Sequence, residues 1–364
     1  MRLKHIDITN YKNIAEQSLT FSDGVNCLIG NNGMGKTNVL DAIYFLSFCK
    51  SFVRQRDAEV IRHGESFMML HGTYSRREAT EDIRVALQAG KRKSVSRGGK
   101  EYQRLSQHIG LLPLVMVSPL DWDLIRGNGE ERRRFMDQII AQGNPQYMEA
   151  LIRYAKAHEQ RNSMLRNEMR DALLYETVEH AMCESAATIH SAREKWTRDF
   201  TPIFMEYYAA VAGDAEPVAL NYVSHLNDAT MEQALAATRE RDLVLGYTSR
   251  GPHRDDIELT LGTHPMRNTG SQGQCKTYTI ALRLAQYDFL RRHVPTTPIL
   301  LLDDIFDKLD ARRVEHIVDV VSSERFGQIF ITDTNRTHLD EIMARQAGEH
   351  TMFIVENGTC VPAH

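Results

Sequence analysis

The sequence predicts an α/β fold, a mixed sheet with helices, interrupted by an α-helical lobe. Three observations carry this. The apolar run Val25-Asn-Cys-Leu-Ile29 leads straight into the glycine-rich turn Gly30-Asn-Asn-Gly-Met-Gly-Lys-Thr37. After it, Val39, Leu40, Ile43, Leu46 and Phe48 stand near helical spacing. Far along the chain, Ile299-Leu-Leu-Leu-Asp-Asp304 reads as a buried strand that ends in two carboxylates. Between about Pro119 and Asp242 the texture changes, glycine nearly disappears after Gly143, and long helical patterns take over. Residues 1–117 and 243–364 are therefore assigned to one lobe in two sequence halves, and 118–242 to a helical insertion.

In chain order, residues 2–8 and 18–29 read as strands. Residues 67–74 and 81–89 form a hairpin pattern, and the basic run GKRKSVSRGGK after it a loop or strand edge. In the insertion, Leu174, Val178, Met182, Ser185, Ile189, Ala192, Trp196, Phe200 and Phe204 recur in steps of three and four, the stripe of an amphipathic helix. Val294-Pro-Thr-Thr-Pro298 is a connector, and Gln328 to Thr332 a further strand. No apolar run approaches the roughly 18 residues of a membrane span. The opening MRLKHIDITNYKNI has no h-region and reads as a strand. The five cysteines are scattered and never spaced as CxxC, so neither a disulfide framework nor a zinc site is indicated, and a reducing cytoplasm fits. A net charge of −4 argues against coating nucleic acid by bulk charge, so any such contact must be local.

Gly30, Gly35, Lys36 and Thr37 complete the spacing GxxxxGK[ST] of a phosphate-binding loop. Across Gly30, Asn31, Asn32, Gly33, Met34, Gly35, Lys36 and Thr37, glycines let backbone N–H groups approach an anion, and the following helix N-terminus favours it. Lys36 can reach the β and γ phosphates of ATP, and the Thr37 hydroxyl can ligate Mg²⁺. The paired acids suit the same chemistry: Asp303 orders the metal and Asp304 activates a water.

Two further segments resemble motifs of ABC-type ATPases. Ser271-Gln-Gly-Gln274 is similar to their signature, which meets the γ-phosphate held by an opposite subunit, and Asp307-Lys-Leu-Asp310 is similar to their D-loop. The resemblance implies an ABC-type P-loop ATPase head. Longer stretches, SPLDWDLIRGNGEERRRFMD from Ser118 to Asp137, YTSRGPHRDDIEL from Tyr247 to Leu259 and ITNYKNI from Ile8 to Ile14, resemble the RecF family of bacterial DNA replication and repair proteins. That resemblance runs from the N-terminus past the D-loop, while about 140–240 matches mainly in length and texture. It implies an SMC-like head that dimerises around ATP and Mg²⁺, binds gapped DNA, and works with RecR and RecO to load RecA. By likeness to related heads, Lys12 and Asn13 approach the adenine or ribose side; an ordinary turn is the competing reading.

The chain departs from the ABC pattern at several points. Thr269-Gly270 precede the signature where an apolar residue is usual, and Asp304 replaces glutamate. The usual lobe-connecting glutamine is absent, with Ser118 to Asp123 in that region. Thr332-Asp-Thr-Asn335 stands where a switch histidine is common, leaving Thr332 or Asp333 to face the γ-phosphate side. These departures imply slow, switch-like use of ATP.

The remaining candidates carry two readings each. The stretch Arg76 to Arg104 has a balance of +5 and includes Lys91, Arg92 and Lys93; it is a DNA-backbone surface or a solvated hairpin. Arg132, Arg133 and Arg134 contact phosphate, couple the lobes, or form a solvated basic turn. Arg54 and Arg56 are candidate DNA contacts. His253 and Asp255 form a metal-binding or catalytic pair, a structural pair, or, the preferred reading, a family-specific turn near DNA or the nucleotide.

Overall fold

The computed structural model describes residues 1–53, 55–77, 79–213, 216–307, 309–345 and 349–363. The chain divides into two compact units, Met1–Asp121 with Tyr207–Asp214 and Lys276–His364, and Trp122–Glu206 with Ala215–Cys275.

In the first unit, β1 (Arg2–Tyr11), β2 (Ile14–Thr20), β4 (Phe67–Arg76), β5 (Ala79–Gln88), β6 (Ser94–Arg97) and β7 (Lys100–Glu101) form an antiparallel sheet, ordered β2-β1-β4-β5-β6-β7. The predicted hairpin is β4–β5, and the basic run supplies β6 and β7. A second sheet contains β3 (Val25–Ile29), β8 (Leu114–Val117), β12 (Ile299–Asp303), β13 (Ile329–Asp333), β14 (His350–Glu356) and β15 (Thr359–Pro362), ordered β15-β14-β3-β13-β12-β8. Its strands are parallel except β15, which closes one edge antiparallel to β14. Helix α1 (Lys36–Phe48) packs against β1, β4 and β5 and also against β8, β12 and β13. Of its 13 residues, 11 are buried, so it has no solvent stripe. Sequence spacing suggested one apolar face; a helix between two sheets needs apolar residues all round.

The second unit holds α2 (Trp122–Arg126), α3 (Gly129–Gly143), α4 (Pro145–Arg166), the greater part of α5 (Ala172–Ala212), α6 (Met231–Leu245) and α7 (Met266–Thr269). The stripe read along α5 is buried at Val178, Met182, Ser185, Ile189, Trp196, Phe200 and Phe204. This unit also contains a small antiparallel sheet of β9 (Val218–Val223), β10 (Asp256–Leu261) and β11 (His264–Pro265), so it runs past the 118–242 boundary drawn from texture. The difference arises because β10 pairs with β9 across a long sequence gap, from Asp256 opposite Val223 to Leu261 opposite Val218. A strand pattern does not say which sheet it joins. Helix α8 (Gln272–His293), α9 (Ala311–Val321) and α10 (Arg336–Arg345) complete the chain.

Buried arginines cross-link the second unit. Arg161 on α4 donates to Glu179 (2.9 Å), Asp242 (2.8 Å) and Thr248 (2.9 Å). Arg193 on α5 donates to Asp137 (2.9 Å), Asp255 (2.8 Å) and the Pro252 carbonyl (2.7 Å). Each guanidinium is tolerated in the interior because two carboxylates neutralise it, with a hydroxyl (Thr248) or a carbonyl (Pro252) as a further acceptor.

Candidate phosphate-binding site

The C-terminal ends of three adjacent parallel strands meet at one place, where open α/β sheets bind ligands. β3 delivers the glycine loop, β12 delivers Asp303 and Asp304, and β13 delivers Thr332 and Asp333. The register puts Asp303 opposite Thr332 and Asp333 opposite Ile29.

Two glycines have no substitute here. A Cβ on Gly30 would stand 2.4 Å from the Val355 carbonyl oxygen. Gly35, the N-cap of α1, has φ +109°, and a Cβ there would lie 2.8 Å from the Asn13 amide nitrogen. The loop thus closes against β14 on one side and Asn13 on the other. The Asn13 amide donates to the Met34 carbonyl (3.4 Å) and its oxygen accepts from Asn38 on α1 (2.7 Å). Asn13 therefore braces the loop.

Lys36 is buried, and its ammonium donates to the Gly30 (2.6 Å) and Asn31 (3.2 Å) carbonyls of its own loop. The Thr37 hydroxyl donates to Asp303 Oδ1 (3.0 Å) and Oδ2 (3.1 Å), and Thr332 Oγ1 donates to Asp303 Oδ1 (2.8 Å). Burial pushes the Asp303 carboxyl above its ordinary range, against the downward pull of the Thr332 and Thr37 hydroxyls. Asp304 is half-buried and left-handed, with φ 45°. Burial raises its carboxyl too, the Lys36 charge opposing and Asp333 and Asp307 adding to it. Among the described residues, no group of three or more His, Cys, Asp or Glu side chains is arranged to hold a metal. Thr37 and Asp303 are a two-residue set. That suits Mg²⁺, which fills most of its octahedron with water and phosphate oxygens.

The signature segment opens α8. The Gln274 side chain accepts from the Ser271 backbone N–H (2.9 Å), and Ser271 Oγ accepts from the Gln274 N–H (3.2 Å), a capping box. Ser271 and Gln272 are exposed, Gly273 and Gln274 partly so. In the D-loop, Asp310 caps α9 by accepting from the Arg313 N–H (2.9 Å), and this bond holds its carboxyl below the usual range. The Asp307 carbonyl accepts from Lys276 of α8. Asp121, in the region of the missing glutamine, pairs with buried Arg283 (2.6 Å) and accepts from the Ser118 N–H (2.9 Å).

Several candidates from the sequence are committed elsewhere. The Lys12 ammonium points inward to buried Asp41 (2.6 Å), which needs a cation, and does not face outward as Asn13 does. Arg132 is buried and bidentate to Asp256 (2.6 and 2.8 Å), so it holds α3 to β10 and is no phosphate contact. Arg133 donates to the Asp255 carbonyl (2.7 Å), and exposed Arg134 pairs with Glu130. Lys93 pairs with Asp57 (2.8 Å) and lies over the Phe45 ring (4.9 Å), which removes it from the basic surface. Lys91, Arg92 and Arg56 are exposed. Arg54 lies outside the described residues, as does residue 308 within the D-loop. His253 and Asp255 do not pair with each other. The His253 ring bonds Tyr154 OH (2.8 Å) and the Thr248 carbonyl (3.0 Å), while Asp255 accepts from Arg193 and Tyr222 (2.5 Å). Both side chains are thus bonded to other residues of the second unit and form no His–Asp pair.

Sequence reasoning missed Asp41, Lys276 and the bond of Thr332 to Asp303. Thr332 was named from its place after the last apolar strand as facing the γ-phosphate side, but its bond to Asp303 follows only from the parallel pairing of β12 with β13. Asp41 stood within an apolar helical run, and a lone acid there is a signal of a buried ion pair.

Comparison with known proteins agrees with this architecture. The RecF/RecN/SMC N terminal domain family matches residues 2–359. DNA replication and repair protein RecF of Parabacteroides distasonis is 52% identical over 362 residues, covering 100% of this chain and 99% of the relative. RecF of Bacteroides thetaiotaomicron is 48% identical, covering 98% of both. A solved structure of the recombination mediator protein RecF-ATP in the RecFOR pathway superposes with a TM-score of 0.89 at 25% identity, covering 100% of this chain and 97% of that one. An Smc head domain from Pyrococcus furiosus shares the fold, with a TM-score of 0.59 at 17% identity, covering 99% of this chain and 95% of that one. Glycine loop, acidic strand and full-length likeness coincide, and the chain belongs to the RecF family of DNA replication and repair proteins.

Proposed function

We propose that this protein is an ATP-dependent DNA-binding switch of recombinational repair and replication. The observation that carries the reading is the hydroxyl of Thr37 on the Asp303 carboxylate beneath the Gly30–Thr37 loop, in a chain of this family. The hydroxyl proton is committed to Asp303, which leaves its lone pairs for Mg²⁺. Backbone N–H groups of residues 30–37 and the α1 N-terminus cradle the phosphates of ATP. Lys36 exchanges its two loop carbonyls for β and γ phosphate oxygens. When bound, Mg²⁺ neutralises charge on the phosphates. Asp304 orients and deprotonates the attacking water, helped by the upward push that burial gives its carboxyl. Ser271 to Gln274, on the exposed start of α8, is completed by ATP on a second copy, and Asp307 and Asp310 lie along the same dimer contact. ATP thus joins two heads into a clamp on gapped DNA, and slow hydrolysis releases it. RecR and RecO are the partners, as the RecFOR pathway of the similar structure suggests, and RecA loading is the outcome that the family resemblance implies. The cytoplasm is the site of action; among the described residues no helix is long and apolar enough to cross a membrane.

Gel filtration with and without ATP tests this. Wild type is expected to double in apparent mass with ATP, and Lys36→Met and Ser271→Arg to remain unchanged. Dimerisation of either variant as strongly as wild type removes the sandwich. A second reading, a scaffold that binds ATP without turnover, is favoured by aspartate in place of glutamate at 304. Single-turnover rates unchanged in Asp303→Asn and Asp304→Asn would establish the scaffold.

A further inference from the structure

We propose that Thr332 is a positioning residue that ties the metal-side carboxylate, Asp303, to the backbone of the water-side residue, Asp304. This rests on the reading of Asp304 as the group that activates water. Thr332 is fully buried on β13, directly opposite Asp303. Its hydroxyl makes two bonds of opposite sense. It donates to Asp303 Oδ1 (2.8 Å) and accepts from the Asp304 backbone N–H (3.1 Å). A hydroxyl is donor and acceptor at once. Branching at Cβ restricts its rotamer, so the oxygen is presented in one direction.

The second bond answers a need of the backbone. Asp304 has φ 45°, a left-handed conformation that an aspartate adopts at some cost and that its surroundings must over-determine. At that turn its N–H has left the β12–β13 ladder, and the Thr332 oxygen takes it. The first bond shares Asp303 with Thr37, whose hydroxyl donates to the same carboxylate (3.0 and 3.1 Å). Thr37, Asp303, Thr332 and the Asp304 N–H therefore form one chain of hydrogen bonds. The oxygen that fixes the metal-side carboxylate also fixes where the Asp304 side chain leaves the backbone. Thr332 is assigned no direct bond to the phosphates or the water; it acts through Asp303 and Asp304.

The test compares ATP turnover and ATP affinity of the full chain with Mg²⁺ and DNA. Thr332→Val keeps size and branching but loses both bonds. It is expected to lower kcat about 10- to 100-fold, the scale of a small misplacement of a catalytic group, with KM for ATP changing less than about 3-fold. Thr332→Ser keeps the hydroxyl and is expected to hold kcat within about 3-fold of wild type. Thr332→Cys, close in size and only a weak donor, supplies the same contrast if the valine protein fails to fold. A folded valine variant with wild-type kcat overturns the proposal. So does a serine variant as impaired as the valine one, or a loss that falls on KM and kcat alike. If wild type shows no Lys36-dependent ATP binding, or no turnover, the parent reading fails and this one with it; if wild type turns over and Thr332→Val matches it, only this proposal fails.

Discussion

At the scale of single residues, the site is built from groups that satisfy one another before any ligand arrives. Asp41 is the clearest case. Its buried carboxylate takes the Lys12 ammonium (2.6 Å), the Tyr11 hydroxyl (2.6 Å), the Ser51 hydroxyl (2.8 Å) and the Phe52 N–H (2.6 Å). It joins β1, α1 and the segment after α1 directly behind the glycine loop. Burial and the neighbouring Asp41 charge push the Tyr11 phenol well above its ordinary range, so it stays a donor. Asp41→Ala leaves the Lys12 charge buried without a counter-ion and is expected to cost about 3–5 kcal/mol, read from urea unfolding. Lys12→Met replaces the cation by a similar volume but still strands a carboxylate, and a comparable loss is expected. Neither should act through an adenine contact, so ATP affinity per folded molecule should stay near wild type.

Secondary-structure elements decide which basic residues are available to DNA. Arg132 is tied to β10 by a bidentate bond, and Lys93 is held by Asp57 and lies over the Phe45 ring. Lys91, Arg92, Lys100 and Arg104 remain exposed along the β5–β7 end of the antiparallel sheet. Arg97, between them, is held by Glu81 (2.7 Å). Arg132→Ala is expected to destabilise the second unit by about 1–3 kcal/mol through the carboxylate left behind. Alanine at Lys91, Arg92, Lys100 and Arg104 should change stability by less than about 0.5 kcal/mol each. The same four changes should weaken DNA binding and flatten its salt dependence by about one unit of slope for each phosphate no longer neutralised. Fluorescence anisotropy across a salt series checks this, and an unchanged slope would remove the strand end as a DNA surface.

At the scale of the whole molecule, both units bury charge in pairs. The first holds Asp41 with Lys12 and Asp121 with Arg283. The second buries Arg161 and Arg193 with carboxylates and also buries an uncharged histidine. The His253 ring packs against that of His158, tilted by 35° with 4.1 Å between centroids, and burial lowers its pKa to about 3. Its folded value lies below its unfolded value, about 6.5, so the unfolded chain binds the extra proton. Stability is therefore full above about pH 6.5 and is lost as pH falls toward 3. Between pH 7.5 and 5 the loss assigned to this ring is about 2 kcal/mol. His253→Asn should be less stable at pH 7.5 but lose less on acidification, measured by urea melts at the two pH values. Equal acid sensitivity in both proteins would assign the effect to other groups.

Most of the candidate phosphate site was legible from local order alone. The glycine loop must follow a strand and open a helix, because an anion needs free N–H groups and a helix N-terminus, and both are properties of adjacent residues. The acidic pair was readable for the same reason, as the exit of an apolar run. The hairpin and the long α5 stripe followed from spacing, and the family from segments that resemble it. Tertiary structure decided which polar residues were spent on the fold. Arg132, Lys93 and Lys12 look like free cations in sequence, yet a carboxylate or ring claims each one, and the partner lies at a remote position. Thr332 gained its place only through the pairing of β13 with β12. The reason is physical: phosphate binding by backbone is local, whereas neutralising a buried charge or positioning a hydroxyl depends on what long-range packing brings within about 3 Å.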